Sequence, residues 1–248
     1  MSRKGRGGVS GPDLQRQTSL EGVRVPAVAV ALNGGAAPEL VWRNQLDGLT
    51  FRVRDGFLKW NPRTTGVDLG REAARLEWLA GRHPVPRLLE RGEDDEAQWL
   101  LTAPLTGTSA VAPEWLARPE EAVRAIAGAL RALHALPVAD VPAALRGDSW
   151  FDRRPSALGE APAVLAPVVV HGDACAPNTL IGADGRWSAS VDVGDLGVGD
   201  RWADLAVAAV SLGWNYGEGW APLLLREYGI DPDEERAAYF RALWAAES

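Results

Sequence analysis

Several things are scarce in this chain of 248 residues. There is one cysteine, Cys175, so no intrachain disulfide can form. No run of about 18 apolar residues occurs, which excludes a membrane-spanning helix. The start, Met-Ser-Arg-Lys-Gly-Arg-Gly-Gly, is basic but lacks the apolar core of a signal peptide. Residues 1–20 lack periodicity and read as a disordered tail or a misassigned start. Positive charge is also short: the net charge is −7, so nucleic-acid binding has no electrostatic support. An acidic chain suits a cationic ligand, and no obligate protein partner is evident.

What is present is an ordinary globular composition, 46% hydrophobic and 24% charged. The length suffices for one large domain or two lobes. The most informative stretch is Val168-Val-Val-His171-Gly-Asp173-Ala-Cys-Ala-Pro-Asn178. Three β-branched residues predict a short buried strand, and Gly172 a turn. An acid and then an amide follow. A second strand-like run, Trp187–Val191, leads to Asp192-Val193-Gly194. Phosphoryl transfer needs an acceptor for the substrate hydroxyl proton and side-chain oxygens for Mg²⁺. Protein kinases supply these from H-R-D-x-x-x-x-N and D-F-G. Here Gly172 replaces the Arg and Val193 the Phe.

The pattern H-G-D-x-x-x-x-N followed by D-x-G resembles the aminoglycoside phosphotransferase family, kinase-like enzymes that act on small molecules. Residues 170–178 together with Asp200-Arg-Trp-Ala-Asp204-Leu-Ala206 look most like its 3'-phosphotransferase branch. The resemblance runs from about Val41 to the C-terminus. It implies a two-lobed α+β protein-kinase-like fold, with an N-lobe over 21–102, a hinge over 103–107 and a C-lobe over 108–248. It also implies ATP and Mg²⁺ as cofactors and the cytoplasm, where ATP is available, as the compartment. Asp173 becomes the catalytic acceptor of the hydroxyl proton, and Asn178 and Asp192 become the metal ligands.

Three short antiparallel strands are expected at Leu40–Arg43, Leu49–Arg54 and Phe57–Trp60, with a tight turn at Asp55-Gly56. Residues 23–32 fit strand or helix, although Pro26 argues against a central strand. The loop Asn44–Thr50 holds one glycine where protein kinases have three. By resemblance it covers the nucleotide phosphates, with Gly48 and Thr50 in contact; by itself it is an ordinary hairpin. Lys59 lies in an apolar strand, where a lysine needs a partner. Asp68–Gly81 has a helical stripe of Leu69, Ala73, Leu76 and Leu79, with Asp68 as cap and Gly81 as stop. Its Glu72 is the proposed partner of Lys59, and Glu77 the rival. After the strand at 98–103, the adenine is expected on the backbone of Ala103 and Leu105.

In the C-lobe, Pro119-Glu-Glu opens a helix whose buried stripe is Val123, Ile126, Leu130 and Leu133. Helices are also expected over 198–213 and 231–248. His83 and His134 read as structural, His171 and Asp204 as braces of the catalytic loop, and Cys175 as packing. The substrate side departs from the family pattern. Residues 147–167 form a short Pro/Ala link with Asp152 and Glu160 as the candidate acids. Asp195 stands where an Arg is expected. Trp214-Asn215 replaces an acidic pair, with Glu218 as a substitute, and Glu247 with the Ser248 carboxylate completes the candidates. Of the eleven tryptophans, Trp150, Trp214 and Trp220 are the candidate pocket walls, where an aromatic face attracts ammonium groups.

The implied activity is phosphorylation of an aminoglycoside hydroxyl, which confers resistance. Two alternatives remain open at this point. One is a kinase of another small hydroxylated substrate, such as an amino alcohol, a macrolide or a sugar. The other is a nucleotide-binding module without catalysis.

Overall fold

The computed structural model describes residues 22–44, 46–164 and 166–247. The tail expected over 1–20 and the Ser248 carboxylate lie outside the described residues.

Pro26 precedes helix α1 (Ala27–Leu32), which decides between strand and helix for this segment. Proline is tolerated there because the first helical N–H groups have no intrahelical acceptor. Strands β1 (Glu39–Arg43), β2 (Leu49–Val53) and β3 (Gly56–Pro62) follow as antiparallel neighbours. The β2–β3 turn tip is Arg54-Asp55, one residue earlier than expected, because Gly56 already pairs with Val53. A Cβ at Gly56 would meet the Thr102 carbonyl at 1.9 Å, so close approach of a neighbouring strand selects glycine there.

Helix α2 (Leu69–Leu79) begins as predicted, with Asp68 Oδ1 accepting from the Gly70 N–H at 2.8 Å. Gly81, at φ +74°, lies just beyond its end. Strands β4 (Leu88–Glu93) and β5 (Ala97–Thr102) complete a five-stranded sheet of order β1-β2-β3-β5-β4. Phe51, Val53, Leu58 and Leu101 pack with Ala29 of α1 into one core.

Beyond β5 the chain is mainly helical. It runs through β6 (Thr108–Ser109), α3 (Pro113–Leu116) and α4 (Pro119–His134). The α4 bounds agree with the sequence reading, and Val123, Ile126, Leu130 and Leu133 are buried on it. Short turns then lead to β7 (Val168–Val170), β8 (Thr179–Ile181), β9 (Trp187–Ser190) and β10 (Gly197–Gly199). Helices α5 (Trp202–Tyr216), α6 (Ala221–Tyr228) and α7 (Glu234–Glu247) close the chain. β7 pairs with β10, and β8 lies between β6 and β9.

The result is a two-lobed α+β molecule. A further core crosses between the lobes: Leu69, Ala73, Leu76 and Leu79 of α2 pack with Leu100, Leu133, Val169, Val193 and Leu196. Burying aliphatic side chains of this size stabilises by about 1.5–3 kcal/mol each, so α2 is fixed against the strands that carry the functional loops. Among the described residues no helix is long and apolar enough to cross a membrane.

Candidate active site

The three valines of β7 are fully enclosed and deliver His171, Gly172 and Asp173 at the strand end. Gly172 has φ +86°, and a Cβ there would meet the Asp195 carbonyl at 2.4 Å. This steric limit explains a glycine where protein kinases carry an arginine. Asp204 on α5 is wholly buried and grips the loop. Its carboxylate accepts from the His171 N–H at 2.7 Å, the Gly172 N–H at 3.0 Å and His134 Nε2 at 2.9 Å. Burial alone would raise the Asp204 pKa, but these donors outweigh it and hold the carboxyl below its usual range. His171 Nε2 bonds to the Val191 carbonyl at 3.1 Å, tying the loop to the strand that leads into Asp192.

Asp173 Oδ2 accepts from Asn178 Nδ2 at 2.9 Å, and its backbone carbonyl accepts from the same nitrogen at 3.0 Å. The Cys175 thiol lies near Asp173 and helps hold its carboxylate. Burial raises the Asp173 pKa, and the nearby Asp192 charge adds to this. Burial also raises the Cys175 thiol, so it remains protonated and is not a nucleophile. Both Asn178 donor contacts go to Asp173, which leaves its Oδ1 as the atom able to ligate a cation. The Val191 N–H donates to the Asn178 carbonyl at 2.9 Å and brings the Asp192 segment alongside.

Asp192 has φ +59°, a sparsely populated conformation for a residue with a side chain. Lys59 Nζ lies 2.6 Å from Asp192 Oδ1 and 2.6 Å from Glu72 Oε2. Glu77, the rival, is exposed. Burial pushes the Lys59 ammonium down, but the charges of Asp192 and Glu72 prevail and its pKa lies above normal. The Lys59 charge in turn depresses Asp192. Glu72 is raised, since burial exceeds the pull of Lys59.

The loop between β1 and β2 is shaped by Asn44, whose Oδ1 accepts from Leu46 N at 3.0 Å and Gly48 N at 2.7 Å. A Cβ at Gly48 would meet Asn61 Oδ1 at 2.0 Å, so a larger residue would have to push aside the side chains of Asn61 and Asn44. Thr50 stands opposite Lys59 in the β2–β3 register. Just past β5 the Ala103 N–H donates to the Arg87 carbonyl at 2.9 Å, so Ala103 has only its own carbonyl to offer a base. Leu105 is half-buried after the exposed Pro104.

Beside Asp173 opens a cavity of about 320 Å³. Asp148, Asp173, Asp195 and Glu247 are its acids, Arg71 and Arg153 its bases, and Trp150 and Trp244 its aromatic walls. Asp195 is raised by burial and by Asp192. Trp150 Nε1 also donates to the Gly172 carbonyl at 2.6 Å. Three candidate acids lie elsewhere. Asp152 caps its own turn, accepting from Ser149 N at 3.2 Å. Glu160 is exposed on the link, and Glu218 stands over Gly213 at the end of α5. Trp214 stacks behind Trp244 at 5.6 Å, and Trp220 Nε1 donates to the Tyr216 carbonyl at 3.2 Å. Asp148, Arg71 and Arg153 were not legible in advance; a Gly147-Asp148 turn was the one local signal.

Among the described residues no group of three or more His, Cys, Asp or Glu side chains forms a metal site. A nucleotide-borne Mg²⁺ needs only one or two protein carboxylates. The ionised Asp192 and the amide oxygen of Asn178 fit that demand.

A lysine fixed by a helix glutamate, set against an Asp/Asn loop and a second Asp between a sheet and a helical lobe, defines a kinase-like phosphotransferase. The family model described as "Phosphotransferase enzyme family" matches residues 28–161 and 148–240. An aminoglycoside 3'-phosphotransferase from Streptomyces fradiae is 38% identical over 219 residues, covering 73% of this chain and 81% of that protein. One from Streptomyces ribosidificus is 35% identical over 262 aligned positions, covering 86% and 92%. The crystal structure of an aminoglycoside-3'-phosphotransferase of type VIII superposes with a TM-score of 0.68 at 28% identity, covering 87% of this chain and 97% of that one. The chain belongs to this phosphotransferase enzyme family.

Proposed function

We propose that the chain is an ATP- and Mg²⁺-dependent O-phosphotransferase that phosphorylates a 3'-type hydroxyl of an aminoglycoside and so confers resistance. The observation that carries this reading is Lys59 held between Glu72 and Asp192, across from Asp173 and Asn178. The relatives' names supply the substrate class.

In this reading residues 21–102 form the nucleotide lobe, 103–107 the hinge, and 108–248 the lobe that binds the acceptor. The Ala103 carbonyl and the Leu105 N–H receive the adenine. The Gly48–Thr50 segment covers the phosphates, and Lys59, oriented by Glu72, grips them. Asn178 Oδ1 and Asp192 would hold Mg²⁺, which neutralises charge on the phosphate oxygens when bound. Asp173 orients the acceptor hydroxyl and takes its proton. Its raised pKa makes it a better base than an ordinary aspartate. Asn178 fixes the carboxylate in place.

The test is ADP release by the purified protein over kanamycin, choline, a macrolide and a simple sugar, with ³¹P NMR of the product. Turnover with kanamycin and a new sugar phosphomonoester is expected. Turnover confined to choline, the macrolide or the sugar would move the chain to another substrate class. No turnover with nucleotide bound would make it a binding module.

A further inference from the structure

The acceptor cavity contains two arginines that the chemistry above does not use. Arg71 Nη1 meets Asp148 Oδ2 at 2.8 Å, and Arg71 Nη2 the Asp148 carbonyl at 2.8 Å. Arg153 Nη1 is bonded to Glu247 Oε2. Two of the four cavity acids therefore already carry a cation.

The two pairs differ in which partner is held. Arg71 is 35% exposed and its acid 86% exposed, so the arginine is the better-held partner. In the second pair the order reverses: Glu247 is 16% exposed and Arg153 60%. Glu247 sits on the last turn of α7 in the cavity wall. Arg153 extends from the turn after Trp150–Asp152 and is mostly in solvent. An exposed base thus covers a mostly buried acid. Such an exposed partner leaves at little cost, whereas the acid stays largely enclosed in the cavity wall.

We infer that Arg153 is a specificity-determining residue, the built-in counter-ion of Glu247 that a substrate ammonium group displaces on entry. The inference rests on the amine-bearing acceptor of the preceding section. An incoming ammonium exchanges one ion pair for another, and its gain at Glu247 is only the difference between them. Removing the counter-ion exposes the full attraction of the carboxylate. Among the described residues the Arg153 side chain bonds to Glu247 and not to Lys59, Asp192 or Asp173, so its effect falls on acceptor binding and not on phosphoryl transfer.

The experiment compares the full-length protein with Arg153→Gln, Glu247→Gln and the double variant. Quenching of tryptophan fluorescence, to which Trp150 and Trp244 in the cavity wall contribute, reports binding of kanamycin and of spermine without nucleotide. Turnover with kanamycin gives kcat and KM, and the KM for ATP controls for folding. Arg153→Gln should bind both amines roughly two- to five-fold tighter, the range set by an exposed ion pair. Its kanamycin KM should fall by the same factor, with kcat within about twofold. Glu247→Gln should weaken binding, and the double variant should bind no tighter than Glu247→Gln.

Equal or weaker amine binding by Arg153→Gln overturns the inference, as does tightening that persists without Glu247. Spermine binding that depends on Arg153, with no aminoglycoside turned over by the wild type, sinks the substrate assignment and leaves the counter-ion role standing. Wild-type turnover of kanamycin with Arg153→Gln unchanged does the reverse. No amine binding by any variant overturns both.

Discussion

Replacing Asp204 by Asn should cost stability out of proportion to the change of one atom. The carboxylate presents two acceptor oxygens to three donors: His171 N and His134 Nε2 on Oδ2, and Gly172 N on Oδ1. An amide has one acceptor oxygen and an NH₂ group. Either orientation sets that NH₂ against a donor and loses a charge-assisted bond. A hydrogen bond to a charged group contributes about 1.5–3 kcal/mol, and a buried donor left without a partner costs about 1–3 kcal/mol. The two effects overlap at one site, so the expected loss is about 3 kcal/mol. For a chain of this size that lowers Tm by about 6–12 °C. The assay is thermal and urea unfolding followed by tryptophan fluorescence. The pH dependence provides a second readout. The folded Asp204 pKa lies below its unfolded value, so its contribution is present above about pH 4 and is lost as the pH falls through the folded pKa. The gap between wild type and Asp204→Asn should therefore narrow in acid. A variant within about 0.5 kcal/mol of wild type at pH 7, or a gap independent of pH, would refute the brace.

Asp173→Asn should behave oppositely: turnover falls by a factor on the order of 10² or more, while Tm holds or rises because the fold disfavours this charge. A drop of several degrees, or retained turnover, contradicts the assignment. Because the base must be ionised, the acid limb of the wild-type kcat/KM profile should lie above the usual aspartate pKa of about 3.9. Asp192→Ala should weaken Mg²⁺-dependent nucleotide binding, and an unaltered Mg²⁺ titration would count against its role. His83 is buried beside Ser190 and Trp187, and burial lowers its pKa to about 4. The unfolded chain takes up that proton near pH 6.5, so acidification from 6.5 to 4 should remove up to about 3 kcal/mol. Urea titrations at pH 7.5 and 5 should show a smaller pH effect in His83→Gln.

The geometry of the 171–178 loop was readable in the sequence because the chemistry proposed for it prescribes residue types at fixed offsets along one segment. Helix α4 was readable because Pro119 marks its start and a clean apolar stripe follows. The Lys59–Glu72 pair needed one further argument, that a lysine in an apolar strand requires a partner. The cavity was largely hidden because it depends on distant pairings, Arg71 with Asp148 and Arg153 with Glu247. Asp152 shows how charge alone misleads. It is an acid in the right segment, yet the N–H of Ser149 at the start of its own turn claims it. The β2–β3 turn tip slipped by one residue for a related reason: Gly56 is needed where β3 passes the end of β5, and not for its freedom in a turn.

Lys59 separates two carboxylates, one on the upper lobe's helix and one on the lower lobe's loop, and so acts as a rivet across the cleft. Taking it away leaves Asp192 facing a buried Glu72 whose pKa is already raised, so the pair must take up a proton or move apart. Loss of function in a Lys59 variant is therefore a compound result. Part belongs to the proposed contact with nucleotide, and part to a cleft whose two walls have lost the charge that joined them.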